Sequence, residues 1–244
     1  MGQLNISESD PAILKRVAAT RALDFVQGGM RLGLGTGTTA EAFLDVLAPR
    51  VRGGLNITAA ATSERTAIKA RGLGIPIVPL EQIAPLDVTI DGADEADRDL
   101  TLIKGGGGAL LREKIVASSS KQMIVVADGS KLAARLGKFP LPVEVTEFAH
   151  PVTAARIRVA VSVLGYTEFP MVLRQKDGAT FKTDGGNVIY DCAFGSIGDA
   201  AKLGAAIKSV TGVVEHGLFI GLATTLIVAN GAEDVLVLER PQNG

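Results

Sequence analysis

The chain has 244 residues, 47% of them apolar, and its 25 Lys and Arg against 26 Asp and Glu give a formal net charge of −1. This composition is typical of a folded globular protein with one large domain, or one and a half, and excludes a mainly disordered chain. Because there is no basic excess, nucleic acid and anionic membranes are not expected as partners.

The N-terminal half alternates helices with strands. Asp10-Pro11 is typical of a helix start, and apolar residues then recur on one helical face until Gly28-Gly29. The pattern further predicts strands at 31–35, 56–61, 75–79 and 87–91, and helices at 40–47, ending near Pro49, and at 63–71. This alternation predicts a mostly parallel, doubly wound α/β sheet with functional loops at the carboxyl ends of its strands.

The pattern changes near residue 136. A helix at 109–119 and a strand at 122–127 continue the large sheet, whereas strands at 143–146, 169–174 and 187–192 and helices at 153–164 and 198–209 predict a small α+β domain. The β-rich segments 212–219, 225–229 and 235–238 are expected to return to the large sheet. We therefore predict a large domain of residues 1–132 and 212–244, with a small domain of residues 133–211 inserted.

The N-terminal residues and the most apolar stretch of the sequence both indicate where in the cell the protein is expected. The N-terminal residues lack the charged and apolar regions of a signal peptide, so the cytoplasm is the expected location. The most apolar stretch, 217–232, contains Thr224, Thr225 and Asn230 and is shorter than the about 20 residues that a membrane span needs. It is interpreted as buried strand and turn.

The 29 glycines are the unusual part of the composition, and many of them cluster. In the first cluster, Gly33-Leu-Gly35-Thr36-Gly37-Thr38-Thr39-Ala40, a tight turn leads into a helix whose free N–H groups and three hydroxyls suit an anion. The same letters satisfy the relaxed dinucleotide fingerprint, but the next strand lacks the acidic residue that this fingerprint wants at its end. A packing turn without a ligand is the other alternative.

The second cluster is Asp91-Gly92-Ala93-Asp94-Glu95-Ala96-Asp97, at the end of an apolar strand. Four carboxylates in seven residues are costly to ionise together unless cations, solvent or a functional role stabilise them. An Asx-rich surface turn is the simpler interpretation. The position at the carboxyl end of a parallel strand favours a ligand site.

The third cluster is Lys104 followed by Gly105, Gly106, Gly107 and Gly108, with Glu113 in the next helix. Four glycines allow close approach of the backbone to a ligand, and a carboxylate near a helix start is stabilised as the anion. Glu113 could therefore act as a base or be only a solvated residue that caps the helix. A further loop, Asp128-Gly129-Ser130-Lys131, brings a second lysine to a strand end, although a lone loop lysine is usually only solvated.

If these loops meet at one edge, lysines and amides would suit a phosphate, and carboxylates would suit sugar hydroxyls and proton transfer. Cys192 is the single cysteine, which excludes an internal disulfide, and His150 and His216 have no metal-ligand spacing. There is also no nucleophile–histidine pair. Proton abstraction next to a carbonyl, with neither metal nor cofactor, is the reaction class that fits best.

Together the motifs resemble those of the ribose-5-phosphate isomerase A family. The matching segments follow the family's order and spacing: Gly35-Thr-Gly-Thr-Thr39, Asp91-Gly-Ala-Asp94, Lys104-Gly-Gly-Gly107, Arg112-Glu-Lys114, Ala127-Asp-Gly-Ser-Lys131, Lys138–Val145 and Thr183–Asn187. The resemblance implies a Rossmann-like domain carrying a small α+β, ferredoxin-like domain, and a homodimer or homotetramer. It also implies isomerisation of D-ribose 5-phosphate to D-ribulose 5-phosphate through an enediolate, in the non-oxidative pentose phosphate pathway.

The resemblance also implies roles for individual residues. Glu113 matches the catalytic base, Lys104 the residue that stabilises the oxyanion, and Asp91 and Asp94 the residues that hold sugar hydroxyls and help to open the ring. The remaining matches are to substrate-binding positions: Lys15, Thr36, Gly37, Thr38, Thr39, Gly92, Ala93, Gly105, Gly106, Gly107 and Lys131. The segment after Phe219 departs from the family form, which leaves the terminal topology open.

Two other functions stay open on the sequence. A non-catalytic sugar-phosphate sensor would share this fold, and turnover is what would require Glu113 beside Lys104. A nicotinamide dehydrogenase is the second alternative, resting on the glycine turn at 35–40 alone.

Overall fold

The computed structural model describes residues 10–240. Its helices are α1 (Pro11–Ala22), α2 (Thr38–Arg52), α3 (Glu64–Gly72), α4 (Leu110–Ser118), α5 (His150–Ser162) and α6 (Ala200–Lys208). Its strands are β1 (Arg31–Leu34), β2 (Thr58–Ala61), β3 (Leu86–Gly92), β4 (Glu95–Ala96), β5 (Leu102–Ile103), β6 (Ser120–Asp128), β7 (Leu141–Val145), β8 (Met171–Leu173), β9 (Gln175–Lys176), β10 (Ala179–Thr180), β11 (Val188–Cys192), β12 (Val213–His216), β13 (Leu218–Phe219), β14 (Thr225–Ala229) and β15 (Val235–Glu239).

The chain divides by spatial contacts into two compact units. The first contains the described residues up to Gly92, Val116–Leu132 and those from Ala223 onward, and the second contains Ala93–Ile115 and Ala133–Leu222. These units have other bounds than the predicted domains. Residues 93–115 and 212–222, which were predicted in the large domain, lie in the second unit together with the predicted small domain.

The first unit is built on a six-stranded sheet in the order β15-β14-β6-β3-β1-β2. All neighbours are parallel except β14 and β15, which pair antiparallel. The central strands are apolar and buried, as strands covered on both faces must be. Helix α1 starts where Asp10 Oδ1 accepts the N–H of Ala12 at 2.8 Å, and it packs small residues such as Ala18 and Ala22 into the core.

The second unit contains a four-stranded antiparallel sheet in the order β12-β7-β11-β8. With α5 after β7 and α6 after β11, the chain runs β-α-β-β-α-β, which is the ferredoxin-like arrangement. Both tyrosines of the chain belong to this unit, and Tyr190 is buried in its core. The α/β fold class with a smaller α+β, ferredoxin-like part is thereby confirmed.

A three-stranded sheet in the order β13-β5-β4 belongs to the same unit. Its strands are only two residues long, so no alternation in the sequence predicted β4 and β5. This small sheet flanks the residues that carry most of the predicted chemistry.

Three predictions about elements are wrong. Residues 75–79 form no strand, because Ile77 makes only an isolated bridge to Ala59. Helix α2 continues past Pro49 to Arg52, since a proline in the last turn removes only one backbone hydrogen bond. Strand β12 does not return to the large sheet but pairs with β7 in the four-stranded sheet.

Candidate active site

The glycine and hydroxyl turn after β1 lies against Asp91 in the first unit. Parallel pairing of β1 with β3 brings the carboxyl ends of the two strands together, and Gly35 N–H donates to the carbonyl of Ile90 at 3.0 Å. Asp91 is fully buried, and its Oδ1 accepts N–H bonds from Thr36 at 3.2 Å and Gly92 at 2.7 Å. Asp91 therefore holds the backbone of this turn in place through the N–H of Thr36.

The hydroxyl of Thr36 belongs to a buried hydroxyl cluster. Its Oγ1 lies 2.7 Å from Thr62 Oγ1, 2.8 Å from Ser63 Oγ and 3.2 Å from Thr66 Oγ1, and Thr66 donates to the carbonyl of Gly35 at 2.9 Å. Thr62, Ser63 and Thr66 were not predicted as site residues. Three hydroxyl residues at the end of β2 and the start of α3 are the signal that could have found them.

Thr38 and Thr39 open helix α2, after Gly37 in the left-handed region at φ 103°. The N–H groups of a first helical turn have no intrahelical partner, so this end of the helix can donate to an anion. Lys15 Nζ, on α1, donates to Thr38 Oγ1 at 3.0 Å. Lys15 and Thr38, both predicted as substrate-binding residues, are thus in direct contact.

The predicted residue Lys131 ends the short turn Gly129–Lys131 that follows β6. Asp128 Oδ1 accepts the N–H of Ser130 at 3.0 Å and also its hydroxyl, which fixes this turn. Because β6 is parallel to β3, the turn lies at the same sheet edge as Asp91.

In the second unit, a short hairpin brings Asp94 and Lys104 to one end. Strands β4 and β5 pair antiparallel with Glu95 opposite Ile103, so the residues just outside the hairpin are neighbours. Asp94 N–H donates to the carbonyl of Ile103 at 2.9 Å. Asp97 closes the other end of the hairpin by accepting the N–H of Thr101 at 2.8 Å.

Asp94 also fixes the glycine loop, residues 105–108. Its Oδ2 accepts the N–H of Gly106 at 2.7 Å, and Gly108 N–H donates to the carbonyl of Gly105 at 2.9 Å to close a turn. Gly105 and Gly108 have φ values of 107° and 81°, which L side chains rarely adopt. Both Gly106 and Gly107 are exposed.

Lys104 and Glu113 form a buried ion pair. Lys104 Nζ lies 3.2 Å from Glu113 Oε1, and the two side chains are 3% and 5% exposed. Lys104 is held through its own N–H, which donates to the carbonyl of Gly217 at 2.9 Å, while Glu113 lies in the first turn of α4. A carboxylate and an ammonium group therefore lie together where water has little access.

Each carboxylate of the segment from Asp91 to Asp97 accepts backbone N–H bonds, which stabilise its charged form. The donors are Thr36 and Gly92 for Asp91, Gly106 for Asp94, Gly137 and Phe139 for Glu95, and Asp99 and Thr101 for Asp97. Burial raises the pKa of Asp97 above its ordinary value. The interpretation as a plain surface turn is therefore wrong, since Asp91 and Glu95 are buried.

A second ion pair, between Lys114 and Glu215, lies near the same phenylalanine ring as Lys104, although Lys114 was not predicted as a site residue. Lys114 Nζ donates to Glu215 Oε1 at 2.9 Å and to the carbonyl of His216 at 2.6 Å. Burial would raise the pKa of Glu215, but the N–H of His216 and the Lys114 ammonium lower it to about 2. The ring of Phe219 has both ammonium groups near it, with Lys104 Nζ 5.5 Å and Lys114 Nζ 5.0 Å from its centroid.

The predicted site residues thus fall into two groups, one in each unit. The first group contains Lys15, Thr36, Gly37, Thr38, Thr39, Asp91, Gly92 and Lys131, and the second contains Ala93, Asp94, Lys104, Gly105, Gly106, Gly107 and Glu113. Within residues 10–240, no group of three or more His, Cys, Asp and Glu side chains could hold a metal ion. No helix in that range is long and apolar enough to cross a membrane.

The sequence model of one family, described as Ribose 5-phosphate isomerase A (phosphoriboisomerase A), matches residues 58–233. The chain is 52% identical over 227 residues to ribose-5-phosphate isomerase A of Nitrobacter hamburgensis, covering 93% of this chain and 97% of that relative. It is 55% identical over 214 residues to the protein of the same name from Parvibaculum lavamentivorans, covering 88% and 93% of the two chains.

Solved structures of proteins with the same name are also similar. Ribose 5-phosphate isomerase from Plasmodium falciparum has a TM-score of 0.89 and 37% identity, over 94% of this chain and 99% of that one. A D-ribose-5-phosphate isomerase in complex with phospho-erythronic acid has a TM-score of 0.86 and 34% identity, over 95% of this chain and 100% of the other.

Proposed function

Because the chain belongs to the ribose 5-phosphate isomerase A family, and so interconverts ribose 5-phosphate and ribulose 5-phosphate in the pentose phosphate pathway, we propose that Glu113 is its proton-transferring base. The observation that supports this assignment is the buried Lys104–Glu113 ion pair, with Nζ and Oε1 3.2 Å apart. A carboxylate with little access to water keeps an abstracted proton instead of exchanging it with solvent.

In the proposed reaction, the Glu113 carboxylate takes the proton from C2 of the open-chain aldose. The C2–H electrons form the C1=C2 bond, and the C1 carbonyl oxygen takes the negative charge, giving an enediolate. The Lys104 ammonium stabilises that charge. A proton then moves from O2 to O1, and the Glu113 carboxylic acid returns its proton to C1, which leaves a ketone at C2.

The other site residues bind and orient the substrate in this proposal. Lys15, Gly37, Thr38 and Thr39 hold the phosphate, with support from the contact between Lys15 and Thr38, and Lys131 adds a cation for the substrate. Thr36 stabilises this loop instead of binding the phosphate, because its hydroxyl is hydrogen-bonded to the hydroxyls of Thr62, Ser63 and Thr66.

Asp91 and Asp94 hold sugar hydroxyls and assist ring opening, and the backbone at Gly92, Ala93 and Gly105–Gly107 lies along the sugar. This part of the proposal rests on the fixed positions of both carboxylates, each of which is held by backbone N–H groups. A carboxylate held in one orientation can accept hydroxyl protons without first rearranging.

The test is a coupled assay of ribose 5-phosphate conversion by the wild type, Glu113→Gln and Lys104→Met. We expect Glu113→Gln to lower kcat by at least about a thousandfold, with a KM within a few fold of wild type. The matched control is Glu64→Gln, which changes another first-turn glutamate, at the start of α3 in the first unit. Full activity of Glu113→Gln would contradict the proposed base.

We also propose that the chain works as a homodimer or homotetramer. Four apolar side chains along α5 and its ends are exposed, namely Phe148 at 88%, Val152 at 56%, Val159 at 71% and Val163 at 83%. Exposed apolar patches mark interaction surfaces, and a second copy can cover such a patch with the same patch of its own. We expect light scattering to give the molar mass of a dimer or tetramer. We expect Val159→Lys to shift the equilibrium toward the monomer.

The proposed location is the cytoplasm. Cys192 is a buried free thiol, which fits a compartment where thiols stay reduced, and a phosphorylated sugar is retained inside membranes by its charge. Subcellular fractionation followed by activity measurement tests this location.

A further inference from the structure

Arg174 contacts the backbone of the glycine loop within the second unit. It lies between β8 and β9, and its Nη1 donates to the carbonyl of Gly105 at 2.7 Å and to that of Gly106 at 3.3 Å. Its Nε and Nη2 donate to the two oxygens of Asp191, at 2.9 and 2.5 Å. This two-point ion pair fixes the plane of the guanidinium, so the direction of its bonds to the loop is fixed as well.

The contacts of Arg174 set the direction of the loop's N–H groups. Both peptides that follow Gly105 and Gly106 are trans, and in a trans peptide the N–H points opposite to the C=O. The first of them shows the pattern directly, because the Gly105 carbonyl faces Arg174 while the Gly106 N–H bonds to Asp94. In the second, the Gly106 carbonyl also faces Arg174, so the N–H of Gly107 points away from it.

The glycine loop, residues 105–108, needs contacts from other residues to hold it in one conformation. Glycine loses more conformational entropy on ordering than any other residue, and four in succession have no side chains to hold them in place. The ring of Phe181 occupies the space beside Gly108 that a side chain there would need, and the Arg174 guanidinium lies 5.9 Å from the same ring. Arg174 and Phe181 thus pack against opposite ends of the loop.

We infer that Arg174 is a positioning residue for the isomerisation: by holding the carbonyls of Gly105 and Gly106, it aims the N–H of Gly107 at the oxyanion that forms beside Lys104. The inference rests on the proposed role of Lys104 and the glycine loop. The guanidinium of Arg174 is bonded to Asp191 and to the two loop carbonyls, so we expect it to act on the substrate through the loop.

The experiment is chemical rescue of Arg174→Ala. We expect kcat to fall about ten- to a hundredfold with KM within about threefold, because a misaimed oxyanion donor affects the transition state more than substrate binding. Millimolar guanidinium should restore part of kcat. Affinity for phospho-erythronic acid, whose carboxylate resembles the enediolate, should fall by a factor similar to that of kcat.

The matched control is Arg158→Ala in the same unit. Arg158 also caps a backbone carbonyl, that of Phe169 at 3.0 Å, and lies 5.1 Å from a phenylalanine ring. We expect it to lower the melting temperature without a guanidinium-dependent change in kcat. If Arg174→Ala does not fold, Arg174→Lys keeps the positive charge but loses the planar two-point pair with Asp191, and its kcat should fall about five- to tenfold.

A kcat of Arg174→Ala within about twofold of wild type would overturn the inference, as would a loss that guanidinium does not reduce. Glu113→Gln, measured in the same assay, separates the inference about Arg174 from the proposed catalytic role of Glu113. If Glu113→Gln is inactive while Arg174→Ala is active, only the inference about Arg174 fails. If Glu113→Gln is fully active, the proposed catalytic assignment itself fails.

Discussion

The carboxylate of Asp91 occupies the space that a β-carbon at Gly35 would need. The two residues lie at the carboxyl ends of neighbouring parallel strands, and the absence of a side chain at Gly35 is what allows Asp91 to reach the N–H of Thr36. The glycine of the turn and the buried aspartate are therefore one structural unit.

Gly35→Ala should displace Asp91 and with it the substrate loop. Overpacking of this kind costs about 1–3 kcal/mol of unfolding free energy, and we expect kcat/KM to fall at least about tenfold. Steady-state kinetics and urea unfolding measure the two effects. Gly28→Ala is the control, because a β-carbon at Gly28 meets nothing within 4 Å. Equal behaviour of the two variants would contradict the prediction.

Gly106→Ala tests the contact with Asp94 in the second unit. An added β-carbon would lie 2.6 Å from Asp94 Oδ1, so either the carboxylate or the loop must move. We expect kcat to fall at least about tenfold with little loss of stability, since Gly106 is exposed. Gly198→Ala, in the same unit with open space around its β-carbon, should behave as wild type. A Gly106→Ala enzyme with normal kcat would argue against a catalytic role for this contact.

The Lys104–Glu113 pair should be strongly coupled in stability. Lys104→Met takes the ammonium away from a buried carboxylate, which typically costs about 3–5 kcal/mol, whereas replacing both members costs less than the sum of the single changes. Urea unfolding of the wild type, Lys104→Met, Glu113→Gln and the double variant forms the thermodynamic cycle. Additive losses would mean that the pair does not interact energetically.

Thr36 and Thr38 should separate structural support from phosphate binding. Thr36→Val removes the centre of a hydroxyl cluster and should lower the unfolding free energy by about 1–3 kcal/mol. Thr38→Val should instead raise KM and weaken inhibition by inorganic phosphate, with little change in stability. If Thr36→Val raised KM more than Thr38→Val, the assignment of the two hydroxyls would be reversed.

Stability should depend on pH through His216. Burial, followed by the Lys114 ammonium, lowers its pKa from 6.5 to about 4, and its Nδ1 accepts the N–H of Leu218 at 3.2 Å, which requires the neutral ring. Between pH 6.5 and 4 the unfolded chain binds a proton that the folded chain does not. The unfolding free energy should therefore fall as pH decreases through this range, by up to about 1.4 kcal/mol per pH unit.

His216→Gln keeps an acceptor but cannot titrate, so its unfolding free energy should lose this slope between pH 6.5 and 5. Glu215 adds a further loss only below its ordinary pKa of 4.5, because its pKa in the folded chain is also lowered. Identical slopes in the wild type and His216→Gln would rule out His216 as the titrating group.

The large sheet could be predicted because its signals are local. The strands β3 and β6 are apolar runs, and the helices between strands begin at capping residues such as Ser63, whose hydroxyl accepts the N–H of Thr66. The strand predicted at 75–79 was wrong because that prediction also used only the local sequence. The segment is apolar enough for a strand, but only tertiary contacts decide whether a run at the sheet edge pairs along its length.

The site could be predicted in part. Motifs indicated Lys104 and Glu113 as site residues, but their separation and burial depend on the β4–β5 hairpin, which is too short to show periodicity. Arg174 and Phe219 carry no motif of their own. They contact the glycine loop and Lys104 across more than sixty residues of sequence, which no local pattern encodes.

The position of the tyrosines determines what optical spectroscopy can observe. The chain has no tryptophan, and Tyr166 and Tyr190 are both in the second unit, so tyrosine emission and near-ultraviolet circular dichroism report mainly on that unit. Unfolding of the six-stranded sheet would pass almost unseen by these probes. A tryptophan placed at Phe25, which packs against the core of the first unit, would provide a second, independent reporter.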